Sequence, residues 1–399
     1  MSDNQWQAPT GPAESNNQGA FSSQAPYYGS PPTAPANTEP GQNATYSQDS
    51  STAWTPPPKP GLIPLRPMEL GTILGAAFRT IRRNPKPTFG ISILIQGIVW
   101  ILTNVALIVP AWLSLSSLQF TEDAESLNAI LSGATLTLIL TASVSVFFSI
   151  AATSILQGII VIEVSRGALG EKLTLRGLWR IARGRILALV GWGLLAATVY
   201  LVVVAIIVGF LVLIYSVTGG TTGIWLVVLL GFFAFLGLVV LAAWINTKLL
   251  LVPSILVLER LKLWDAVVRS WRLTNGYFWK VFGINLLVTV ILSFASGIIT
   301  GPISLIFALV TQFMAPLGTD IQTVITIQVI SYIVQSIVTL IVSSITAIIQ
   351  TATIALLYLD IRMRKEGLDL ILTKYVERVQ AGETELSNPY LKQSQSQTA

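Results

Sequence analysis

The sequence predicts an all-α, polytopic integral membrane protein, on three observations. Hydrophobic residues make up 52% of the 399 and charged residues only 11%, against about 25% charged in an ordinary soluble domain. The apolar residues gather into six long runs, at roughly 88–113, 128–164, 186–217, 223–258, 281–313 and 321–361. All but one of the 24 lysines and arginines fall between or beside these runs, in clusters at 59–86, 166–185, 260–280 and 362–392.

Residues 1–60 precede the first run and hold 11 of the 20 prolines, much Ser, Asn and Gln, and a single base, Lys59. Such a stretch buries too little apolar surface to offset its ordering entropy, so it is expected to be a disordered cytoplasmic tail. It has no basic start followed by an apolar core, as a signal peptide would. Trp6, Tyr27, Tyr28, Tyr46 and Trp54 are its candidate anchors for protein partners. Residues 381–399 are expected to form a second disordered tail, after a membrane domain over 61–380.

Each apolar run is long enough to cross a hydrocarbon core about 30 Å thick, which needs about 20 helical residues. About six transmembrane helices result, with excess length taken up by tilt; a break in the second or sixth run would make eight. Pro253 and Pro302 are the expected kink points. With six crossings the basic clusters share one face, while loops 114–127 and 314–320 carry Glu122, Asp123, Glu125 and Asp320 and no base. The excess of Lys and Arg then places both termini in the cytoplasm and the chain in the plasma membrane.

A pattern recurs ahead of three of the runs. Phe78-Arg79, Trp179-Arg180 and Trp271-Arg272 are each followed, eleven residues after the arginine, by a glycine: Gly90, Gly191 and Gly283. Around each pair a helix has two faces. Ile73, Leu74, Ala77 and Ile81 oppose Arg79, Arg82 and Arg83; Leu175, Leu178, Trp179 and Ala182 oppose Arg176, Arg180 and Arg183; Trp264, Val267, Val268 and Trp271 oppose Asp265, Arg269 and Arg272. A short helix of this kind lies in the membrane interface with its arginines near anionic headgroups. It is expected to turn into the following span at Asn84-Pro85, Gly184 or Asn275-Gly276. The unit is an interfacial amphipathic elbow helix plus a transmembrane hairpin, used three times, at about 65–166, 173–260 and 261–362. A last amphipathic helix over 367–380 carries Leu368, Ile371, Leu372, Tyr375 and Val379. Arg79, Arg82, Arg176, Arg180, Arg183, Arg269 and Arg272 are the expected contacts to anionic lipid headgroups of the cytoplasmic leaflet. Nucleic acid is rejected as a partner because basic and aromatic residues mix only at span borders.

Polar residues inside the runs are candidates for function. Lys248 is the base outside the clusters, with Asn246 beside it; Gln350, Gln157 and Gln96 lie in three other runs. At about 1.5 Å per residue Lys248 and the three glutamines fall roughly 13–18 Å from the basic boundary. All five could form a substrate- or lipid-binding layer around Lys248, or simply hydrogen-bond between helices. Glu163, Glu259 and Asp360 close the second, fourth and sixth runs beside Arg166, Arg260 and Arg362, and suit ion pairs with the elbows. Gly297 and Gly301 form one small-xxx-small pair.

The chain has no cysteine and no histidine. That excludes disulfides, thiolate or imidazole metal sites and Ser-His-Asp catalysis. The glycines at 219–223 lack the strand–loop–helix context of a phosphate loop. No enzyme activity, cofactor or metal is expected.

Three segments carry a family resemblance: residues 65–85 (LRPMELGTILGAAFRTIRRNP), 258–287 (LERLKLWDAVVRSWRLTNGYFWKVFGINLL) and 358–370 (YLDIRMRKEGLDL). Over about 65–375 the chain resembles the membrane-domain family named after glycerophosphoryl diester phosphodiesterases, and its Pro-rich leader looks like that of actinobacterial members. The resemblance implies a stand-alone membrane protein lacking the soluble phosphodiesterase domain, whose histidine chemistry has no counterpart here. The functional expectation is a scaffold or accessory subunit of a cell-envelope or lipid-related complex. The alternative is a transporter, or a lipid-translocating or lipid-sensing protein, using the polar layer around Lys248.

Overall fold

The computed structural model describes residues 61–118, 124–314, 321–383 and 387–391. The leader and the loop residues Glu122, Asp123 and Asp320 lie outside them. The described residues form ten α-helices: α1 Leu70–Arg83, α2 Pro85–Leu118, α3 Ala124–Ala168, α4 Leu175–Thr218, α5 Gly220–Leu249, α6 Val252–Leu258, α7 Leu263–Thr274, α8 Phe278–Met314, α9 Ile321–Glu366 and α10 Leu368–Gln380. Six stretches are long and apolar enough to cross a membrane, within α2, α3, α4, α5–α6, α8 and α9. The protein is an all-α, multi-pass membrane protein. Its spanning helices form a ring: α9 packs on α8, α2 and α3, α3 packs on α4, α4 on α5, and α5 reaches α8.

Local chemistry explains where the helices break. Pro85 begins α2 directly after Asn84, a position where a missing N–H costs nothing. Gly276, at φ 83°, makes the turn between α7 and α8, in the left-handed region that glycine tolerates best. Gly184 has neither device, and α4 passes through it as one helix of 44 residues. The expected second elbow is therefore continuous with its span. The fourth run does break. Pro253 cannot donate to the carbonyl of Leu249 and its ring crowds that oxygen, so α5 stops at Leu249 and the buried helix α6 starts at Val252. Pro302, by contrast, is carried within α8.

The short helices show which faces pack. In α1, Ile73, Ala76, Ala77 and Thr80 are buried while Arg79 and Arg82 are exposed. In α7 the buried residues are Ala266, Ser270, Leu273 and Thr274, whereas Trp264, Val268 and Trp271 are exposed. The apolar stripe read from the sequence is thus not the packing face of α7; small side chains are, because they let the helix close on α5 and α6. Gly297 and Gly301 have open space where a Cβ would stand, so they make no close helix contact.

Two buried carboxylates tie the elbow end together. Glu259 accepts from Arg269 Nε at 2.9 Å and from the Tyr358 hydroxyl at 2.8 Å. Arg362 donates to the same hydroxyl at 2.9 Å and pairs with Glu366 at 3.0 Å, and Glu366 also pairs with Arg269 at 2.7 Å. Asp360 accepts from the Met68 backbone N–H at 2.7 Å and pairs with Lys280 and, at 3.0 Å, with Arg364. Glu163 is held by Asn84 Nδ2 at 3.2 Å. Part of the expected C-terminal tail is also drawn in. Tyr390 is buried; its hydroxyl donates to the Ser165 carbonyl at 2.6 Å and its own carbonyl accepts from Arg362 at 3.0 Å. An aromatic ring with a satisfied hydroxyl stabilises a segment that composition alone marks as polar.

Two outcomes follow. Replacing Glu259 by leucine leaves Arg362 and Arg269 to share Glu366 as their one remaining counter-charge among the described residues, a change of about 3 kcal/mol, and detergent-solubilised protein should lose a matching amount of thermal stability. Arg260 has φ 55°, the left-handed region, as no other non-glycine does among the described residues. Arg260→Gly should relieve about 1 kcal/mol of backbone strain and raise the unfolding midpoint, because the Arg185 hydrogen bond at 2.5 Å goes to the Arg260 carbonyl.

Candidate functional site

The spanning helices line an open cavity of about 680 Å³, with walls from all six spans. Helix α2 contributes Thr103, α3 contributes Ser145, Ser149, Thr153 and Gln157, α5 contributes Asn246, α8 contributes Asn285 and Thr289, and α9 contributes Gln350. No charged side chain lines it among the described residues. Gln350 donates to Asn285 Oδ1 at 2.7 Å and to Thr289 at 3.3 Å, which fixes one wall. The Ser145 hydroxyl is buried without a hydrogen-bond partner among the described residues.

Beside it lies an apolar groove of about 600 Å³ between α4, α5 and the elbow α7, lined by Val199, Tyr200, Leu238, Leu241, Trp264 and neighbours. The two spaces share Trp192, Ala196, Asn246 and Leu249 as a common wall. A cavity with amides and hydroxyls set in a largely apolar wall thus abuts a slot that is almost wholly hydrocarbon.

The five residues singled out from the sequence divide three ways. Gln157, Asn246 and Gln350 line the central cavity together. Gln96 faces a separate cavity between α2 and α9 and accepts from Ser343 Oγ at 3.0 Å. Lys248 lines neither. Its ammonium donates to Asn275 Oδ1 at 2.5 Å and lies over the Trp271 and Phe278 rings, 5.3 and 5.8 Å from their centroids. Its carbonyl accepts from Ser270 Oγ at 2.7 Å and Thr274 Oγ1 at 3.1 Å. A continuous helix from Glu259 back to Lys248 would carry the lysine deep into the span. The break at Pro253 removes that rise and sets Lys248 against the elbow α7 and the turn after it. Sequence reasoning missed Asn285 and Thr289; a lone Asn in the fifth apolar run was the available signal, of the same kind as Asn246.

The arginines also divide. Arg82, Arg176, Arg180, Arg183 and Arg272 are exposed, and Arg79 spends Nε on the Gly75 carbonyl at 3.2 Å within its own helix. Arg269 is half-buried and occupied by Glu259 and Glu366. Burial disfavours its charge, but Glu259 and then Glu366 outweigh that and hold its pKa above the ordinary arginine value. It is a strut of the fold and not an open contact for headgroups.

Fold and cavity together define a class: an all-α, multi-pass membrane protein whose helices line an open, uncharged cavity with amides and hydroxyls on its wall. The chain belongs to the family described as a domain of unknown function, DUF7847, and the match covers residues 68–361, from just before α1 to near the end of α9. No curated protein and no solved structure matches the chain.

Since Lys248 clamps the elbow, Lys248→Ala and Asn275→Ala should each lower stability by about 1–2 kcal/mol. The double variant should be little worse than either alone, as a double-mutant cycle on thermal unfolding would measure.

Proposed function

We propose that this protein binds a membrane amphiphile, its polar head in the central cavity and an acyl chain in the apolar groove, and thereby moves or senses a lipid. The observation that carries the reading is the wall the two spaces share, at Trp192, Ala196, Asn246 and Leu249. A lipid presents that same junction of head and chain. Each space is within the roughly 300–1,000 Å³ of ordinary ligand sites, and the groove is lined by exposed residues of α4, α5 and α7 such as Val199, Leu241 and Trp264, where an acyl chain can enter from the side. The lining selects the head: amides and hydroxyls without a counter-charge suit a group that is neutral overall and rich in hydrogen-bonding atoms. Binding of a bare anion or cation would leave a charge uncompensated in a low-dielectric site.

A scaffold has no use for such a chamber, so the lipid reading takes precedence over it. The exposed arginines of α1, α4 and α7 fit anionic headgroups and favour a cytoplasmic elbow end in a plasma membrane. Tryptophans left exposed on α7 suit the same interface. The three-unit organisation and the resemblance to the phosphodiesterase-named membrane family belong to this proposal as architecture; without histidine, phosphodiesterase chemistry is not carried over. Recruitment of protein partners by the leader remains an accessory role within it.

Ala196→Trp inserts an indole at the shared wall. Native mass spectrometry of the extracted protein should show retained lipid falling about tenfold, a change of about 1.4 kcal/mol, with little change in the unfolding temperature. Val208→Trp, on the exposed flank of α4, should retain lipid as the parent does. Lipid retained equally by both variants overturns the reading.

A further inference from the structure

The central cavity does not end at Thr103. That residue also lines the cavity of about 390 Å³ between α2 and α9, together with Gln96, Ser336, Thr339 and Ser343. This second space shares Tyr332 and Gln335 with a third, of about 420 Å³, between α8 and α9 near Gln312 and Gln328. All three have α9 as one wall. Along α9, residues Gln328, Tyr332, Gln335, Ser336, Thr339, Ser343, Thr346 and Gln350 are spaced so that, at about 100° per residue, they fall within an arc of roughly 100°. Ile330, Val334, Ile337, Ile341 and Ile345, on the far side of the helix, are exposed. From Gln328 to Gln350 the polar arc takes 22 residue steps, and so about 33 Å of rise, as much as a hydrocarbon core is thick.

Resting on the lipid reading above, we infer that this arc is a headgroup track. By it the polar head of a lipid passes between the central cavity and the leaflet at the end of the bundle away from the elbows, while the acyl chains stay in the hydrocarbon. Two details point beyond a mere seam of interhelical hydrogen bonds. A seam closes around its bonds, as Gln350 with Asn285 and Ser343 with Gln96 do, yet here substantial space remains beside them. Gln335 Oε1, at the junction of the two outer cavities, is buried and lacks a hydrogen-bond partner among the described residues, an acceptor available to a passing head. The hydrogen bond from the Tyr332 hydroxyl to Asn104 Oδ1 joins α9 to α2 at this level, and it is the contact that must open for passage.

The chain has no cysteine, so single cysteines report on the track directly. In phosphatidylcholine vesicles the full-length variants Gln335→Cys, Thr339→Cys and Ser343→Cys should react with a membrane-impermeant cationic methanethiosulfonate about tenfold faster than Val334→Cys, Ile337→Cys and Ile341→Cys, a barrier difference of about 1.4 kcal/mol. Equal rates on both faces overturn the track. The same vesicles, carrying a trace of chain-labelled fluorescent phosphatidylcholine, then report exchange between leaflets by dithionite quenching, before and after modification of Thr339→Cys. Exchange should slow about tenfold on modification, while lipid retained in the central cavity, read by native mass spectrometry, stays unchanged. Retention with exchange unaffected, or no exchange by the unmodified protein, overturns the track and leaves the binding reading standing. Loss of retained lipid from the parent protein itself overturns the binding reading on which the track rests.

Discussion

Glu259 and Asp360 set the terms on which the elbow end can assemble. Both carboxylate side chains are fully buried, and a carboxylate removed from water is tolerated only when cations and donors replace its hydration. The replacements come from distant parts of the chain. Arg269 on α7, Tyr358 and Arg362 on α9 surround Glu259, while Met68 ahead of α1 and Lys280 on α8 surround Asp360. The start of the first elbow, the third elbow and the ends of the fourth and sixth spans are thereby fixed to one another. Residues Arg362 and Glu366 carry the network on to Tyr390 and Arg269. Little else could do this, since apolar contacts lose their driving force where the surroundings are themselves apolar.

With that end fixed, the break at Pro253 acquires its role. The fourth span approaches the elbow as two pieces, and the fully buried α6 fills the floor beneath α7. Lys248 is carried to the elbow by the same break and locks α5 to α7 through Asn275, Ser270 and Thr274. Asn246, two residues earlier, is left at the junction of the polar chamber and the apolar groove. One proline thus separates two neighbouring polar residues into a structural clamp and a wall of the cavity.

The polar residues of the bundle form two populations with different chemistry. Charges gather at the elbow end and are spent on one another; amides and hydroxyls line the interior spaces, with no charge among the described residues. On the proposed lipid reading, this division would suit a surface beside ionic headgroups and an interior for a neutral, hydrogen-bonding one. It also explains the tryptophans of α7, whose packing is done by Ala266, Ser270 and Thr274. Trp264 lines the groove, while Trp271 packs edge-on against Trp244 and under the Lys248 ammonium.

Much of this was legible in the sequence. Six apolar runs, basic clusters between them, and the helix breaks at Asn84-Pro85 and Asn275-Gly276 follow from composition and local chemistry, because hydrophobic length and helix-breaking residues act within a few residues of themselves. The grouping of Gln157, Asn246 and Gln350 with Asn285, the removal of Lys248 to the elbow, and the occupation of Arg269 by Glu259 were decided by the tertiary structure. Those outcomes depend on how far a helix rises before it breaks and on which neighbour its face then meets, and neither quantity is written in the order of residues along one helix.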